Sequence, residues 1–142
     1  MQDSPSRRPT LSAAGKLNVA GMVTAAAGII IQIASGSDLY PTIPPGPIIL
    51  IAGAALVALG PWRWTPIVGV VVPLFLFVGA VAAAVNSGEW VDQLTSPGQV
   101  GVGIFAGDVI QLLGVITALV AGIVALSRRS RTPTGDRHEL RG

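Results

Sequence analysis

Residues 104–131 read IFAGDVIQLLGVITALVAGIVALSRRSR, an apolar run closed by Arg128, Arg129 and Arg131. As a helix rising 1.5 Å per residue, 104–126 extends about 35 Å, enough to cross a hydrocarbon core of about 30 Å. Only Asp108, Gln111 and Thr117 interrupt it with polar side chains. A basic cluster directly after such a run holds that end at the cytoplasmic face, and its charge complements the negative C-terminal end of the helix. The segment is a membrane span with a positive stop.

Working outward, three more apolar runs cover about 17–34, 47–62 and 66–85. The first exceeds the roughly 7–15-residue core of a signal peptide and is read as a span. The basic residues are Arg7, Arg8, Lys16, Arg63, Arg128, Arg129, Arg131, Arg137 and Arg141, which fall in the two tails and the connector between the second and third runs. The other two connectors carry Asp38, Glu89 and Asp92 instead. Positive residues in short flanking segments stay cytoplasmic. The expectation is an all-α integral membrane bundle of four spans, both termini inside. A cytoplasmic tail (1–16) precedes the transmembrane domain (17–127), and a basic, disordered tail (128–142) follows it.

Composition narrows the function classes. Hydrophobic residues make up 51% of the 142 positions and charged residues 11%, against about 25% charged in soluble domains. The net charge of +2 comes from residues beside apolar runs, so lipid, not nucleic acid, is the expected partner. With no cysteine, disulfides, thiolate metal sites and cysteine nucleophiles are excluded. His138, the single histidine, stands in the charged tail, so no haem, zinc or imidazole base is expected in the bundle. No cofactor, metal or catalytic residue is assigned. Lys16 stands alone beside eight arginines amid abundant Ala, Gly, Val and Pro. That bias fits a high-GC bacterial genome, and the expected location is a bacterial inner membrane.

The connectors have their own chemistry. Pro41, Pro44 and Pro45 resist helix and make the first one extended. Pro61-Trp62-Arg63-Trp64-Thr65-Pro66 reads as a tight turn with its indoles and guanidinium at headgroup level. In the third, Trp90 and Leu94 share a face of a short interfacial helix, for which Asn86 and Glu89 resemble a start signal. The glycines of 98–107 lack the GxGxxG spacing and a P-loop lysine, so they read as a flexible entry to the fourth helix.

Within the spans, small and amide residues form two stripes. In the first span Asn18, Gly21, Ala25, Gly28, Gln32 and Ser35 alternate spacings of three and four, as do Gly107, Gln111, Gly114, Ala118, Ala121 and Ala125 in the fourth. Such alternation keeps one face toward a partner helix, and small residues let backbones approach where lipid supplies no hydrophobic force. Ile29 and Val115 fall off the stripes and are expected to tolerate substitution. Gln32 and Gln111 lie at similar depth, roughly 6–9 Å from the midplane by helical rise, and should turn inward to bond. Below them only Thr24, Thr117 and Asn18 are polar, which predicts a dry interior.

Asp108 is the only acid within a span. Near the start of the fourth helix it reads as a cap or interface carboxylate, with a proton or cation site as the alternative. Pro73 deprives the Gly69 carbonyl of its helix bond and is expected to bend the third span. Small four-helix drug exporters are similar in length and span count, but they resemble one another through a glutamate embedded in the first span. Here that stretch holds Gly21, Ala25 and Gly28 and no acid.

The resulting expectation is a small non-enzymatic accessory protein whose Gly/Ala faces pack within the bundle, onto a protein partner or in a homo-oligomer. The alternative is a small oligomeric transporter or channel using Asp108, Gln32 and Gln111. An enzyme ranks third, for want of a nucleophile, base or metal set.

Overall fold

A computed structural model describes residues 11–37, 45–60, 64–87 and 95–130. Every regular element among them is helical: α1 (Ala13–Ala34), α2 (Pro45–Leu59), α3 (Thr65–Ser87), the single turn α4 (Pro97–Val100) and α5 (Val102–Ser130). The helices α1, α3 and α5 are each long and apolar enough to cross a membrane, while α2 is apolar but shorter.

Capping chemistry sets the ends of α1. Ser12 has extended backbone, and its hydroxyl oxygen accepts from the Gly15 amide at 3.1 Å. This starts the helix four residues before the apolar run and satisfies an amide that otherwise has no intrahelical partner. At the other end Gly36 takes φ 85°. The Ser37 amide donates to the Gln32 carbonyl and the Gly36 amide to that of Ile33, both at 3.1 Å, the paired bonds of a Schellman motif.

Several boundaries depart from the sequence reading. The second helix starts at Pro45 and not at about 47, so Pro45 opens the helix instead of extending the connector. The second run ends as helix at Leu59 and not at Trp62, because Pro61 disfavours helical backbone at Gly60. The Thr65 hydroxyl then donates to the Gly60 carbonyl at 3.0 Å and ties the end of α2 to the start of α3. Asn86 does not start a new helix. It lies inside α3 and donates to the Ala82 carbonyl at 2.8 Å. The last helix begins at Val102 and continues through both arginines to Ser130, so the basic segment at 127–130 is helix and not tail. The interfacial helix expected around Trp90 and Leu94 lies outside the described residues, as do Arg63 and the 131–142 tail.

Helix α1 sits against α5 and α2, and α3 closes the bundle against α5 and α2. The core is Met22, Ala25, Ala26 and Ile29 of α1, Leu50, Ala54 and Val57 of α2, and Val115 and Ala118 of α5, with Val68, Val72 and Leu76 of α3 packed on it. Ile29 and Val115 are 2% and 4% exposed, which corrects the expectation that they lie off the packed face. A helix flanked by two neighbours buries a face wider than one stripe. Large apolar side chains such as Ile30, Val71, Phe75, Val78, Leu113 and Val120 face outward, as suits a surface solvated by lipid tails.

Candidate functional site

Backbone meets backbone where α1 crosses α5. A Cβ added at Gly21 would lie 2.5 Å from the Ala118 amide nitrogen and 2.8 Å from the Gly114 carbonyl oxygen. One added at Gly28 would lie 2.5 Å from the Gln111 amide nitrogen and 2.6 Å from the Gly107 carbonyl oxygen. From the other side, Gly114 faces the Ala25 amide and Gly107 faces the Cγ of Gln32. Numbering rises along α1 as it falls along α5, so the two run antiparallel. Gly21, Ala25, Gly28, Gly107, Gly114, Ala118 and Ala121 of the stripes are buried, whereas Ala125 is half-buried and Ser35 exposed. The absence of side chains here lets dispersion act over the full length of the seam.

The two glutamines meet at one end of the seam. Gln32 is fully buried, and its amide nitrogen donates to the Gln111 side-chain oxygen at 2.6 Å. Asn18 makes the corresponding tie at the other end. It is 1% exposed, and its amide nitrogen donates both to the Gly69 carbonyl at 2.7 Å and to the Ala118 carbonyl at 2.6 Å. The first acceptor is the carbonyl that Pro73 leaves without a helical donor. One side chain of α1 thus completes the backbone of α3 and grips that of α5. Gly122 permits the close approach, since a Cβ there would lie 2.6 Å from the same Gly69 oxygen. The sequence marks Asn18 as a stripe member and as one of three polar residues below the glutamines, but not as a bridge. The signal for its role was the orphan carbonyl four residues before Pro73. Thr24 points outward and contributes nothing to the interior.

Asp108 does not sit as a cap. The helix starts six residues earlier at Val102, beyond reach of a side chain meant for the first-turn amides. Instead Asp108 is 1% exposed, and neither carboxylate oxygen has a hydrogen-bond partner among the described residues. Gly107, its neighbour, touches Gln32, and Gln111 lies three positions on. The described basic residues, Lys16, Arg128 and Arg129, lie where α1 starts and α5 finishes. From Asp108 to Arg128 the helical rise is about 30 Å. Near the same end as Asp108, the Ser37 hydroxyl is also buried without a partner, and Ser35 fills the space that a Cβ on Gly103 would take.

No family model, curated protein or solved structure matches this chain.

Proposed function

We propose that the protein is a small non-enzymatic accessory protein of a bacterial inner membrane, with α1, α2, α3 and α5 as four spans and both termini in the cytoplasm. The main support is the seam between α1 and α5. Its glycines, its glutamine pair and the Asn18 bridge all serve contact between helices of one chain. Among the described residues no buried polar side chain lies between the two ends of the interior for a solute to follow. Among the described residues the buried polar side chains are Asn18 at one end and Gln32 and Asp108 at the other, with Gln111 and Thr117 half-buried. The small-residue faces are occupied internally, so a protein partner or second copy would meet the apolar outer faces of α2 and α3. Orientation rests on the one-sided distribution of Lys and Arg.

One observation favours the second reading, a small transporter or channel: the buried, unpartnered carboxylate of Asp108. Intramembrane acids commonly mark ion pathways. Reconstitution separates the two. The accessory reading expects purified protein in liposomes to pass no sodium, potassium or protons above empty vesicles. Robust flux that Asp108→Asn removes would overturn it in favour of transport.

A further inference from the structure

Asp108 lacks what buried charges need. Removing a carboxylate from water without hydrogen bonds or a counter-charge is strongly unfavourable, so the group must be neutralised. The elements packed around it offer no cation. Among described residues α2, α3 and α4 hold no Lys, Arg or His, α1 holds only Lys16, and α5 only Arg128 and Arg129 at its far end. The sequence has no Lys or Arg between Lys16 and Arg63 or between Arg63 and Arg128. The connectors at the Asp108 end carry Asp38, Glu89 and Asp92, which favour cations at that surface. Asp108 is about 9 Å along the helix from the start of α5, a short path from that surface. Amide groups lie within one helical turn, at Gln111 and its partner Gln32.

We propose that the Asp108 carboxyl binds a small monovalent cation, a proton or a sodium ion, entering from the end of the bundle where α5 begins. The inference goes beyond the accessory reading and does not depend on it, because binding requires no flux. The shared chemistry is one positive charge neutralising one buried carboxylate. A proton does so by forming the acid; sodium does so through oxygen ligands.

The test is labelling by dicyclohexylcarbodiimide, an apolar reagent, on the full chain in lipid nanodiscs, read by peptide mass mapping. The acid form adds through oxygen to the central carbon of the reagent, its proton passes to nitrogen, and the adduct rearranges to a stable N-acylurea. Glu89 and Asp92 serve as internal references. Asp108 should label several-fold more than either at neutral pH in sodium-free buffer, and Asp108→Asn should remove only that adduct. If sodium is the ligand, replacing choline chloride by sodium chloride should suppress labelling several-fold. If the proton is the ligand, sodium should have no effect and raising the pH should suppress it. Asp108→Glu keeps a carboxyl and should label too. Labelling of Asp108 no greater than that of the references, or labelling unmoved by sodium and pH, overturns the proposal. A flux result leaves this outcome unaffected, so the two readings fail separately.

Discussion

The amide nitrogen of Asn18 lies 2.7 Å from the carbonyl oxygen of Gly69, the one carbonyl of α3 that Pro73 deprives of its helical donor. A proline in a membrane helix leaves a polar group in a medium that cannot solvate it. Here the repair comes from a different helix and fastens a third, through the second bond to Ala118.

Replacing Asn18 with alanine should therefore destabilise the detergent-solubilised bundle by about 1–3 kcal/mol, the range for leaving a buried acceptor unsatisfied. Restoring the α3 donor with Pro73→Ala should shrink that cost. A double-mutant cycle on unfolding free energies measures the coupling. Strict additivity of Asn18→Ala and Pro73→Ala would show that the two residues act independently.

At the seam, Gly28→Ala should cost about 1–3 kcal/mol by overpacking, since its new methyl meets the Gln111 backbone. Gly114→Leu should be worse. The control is Ala27→Leu, a larger addition one residue from Gly28 but exposed, expected within about 0.5 kcal/mol of the parent. Ile29 and Val115 are unsuitable controls, because both are buried. Equal melting temperatures for Gly28→Ala and Ala27→Leu would refute the close contact.

Gln32→Leu removes the bond to Gln111. Membrane hydrogen bonds of this kind average about 0.6 kcal/mol, so the loss should be small. The Gln32→Leu/Gln111→Leu pair should lose less than the sum of the single changes, since it leaves no unmatched amide at the crossing. Thermal unfolding of the four proteins in one detergent provides the measurement.

Orientation has its own test. A reporter active only in the cytoplasm should work when fused after Ser130 or at Arg63 and fail near Ser37 and Thr95. Activity at Thr95 would contradict the arrangement drawn from the basic residues.

Helix existence was plain in the apolar runs, because few other elements bury so long an unbroken stretch. The ends were not, because single side chains decide them. Ser12 lengthens α1 at its start, and Pro61 shortens α2. The small residues now found where α1 meets α5 were visible as a 3-4 spacing. Ile29 and Val115 lie off the stripes yet are buried, because a stripe describes one neighbour, whereas α1 packs against α5 and α2 and α5 packs against α1 and α3. The depth of Asp108 also escaped the sequence. A helix start two residues earlier moves it from the entrance into the bundle. Which carbonyl Asn18 would reach depends on the crossing of three helices, which no local spacing encodes.

The unequal lengths of α2 and α5 bear on the surrounding lipid. With 15 residues, α2 is about 22 Å long, while α5, with 29, reaches about 43 Å. As a span, α2 falls short of a hydrocarbon layer about 30 Å thick. In the proposed four-span arrangement acyl chains on that flank would compress, whereas those along α5 would meet a helix that leans or protrudes. In that arrangement the protein would be a wedge in thickness. It should partition into thinner bilayers and gather beside neighbours whose own short helices share the same deformed annulus.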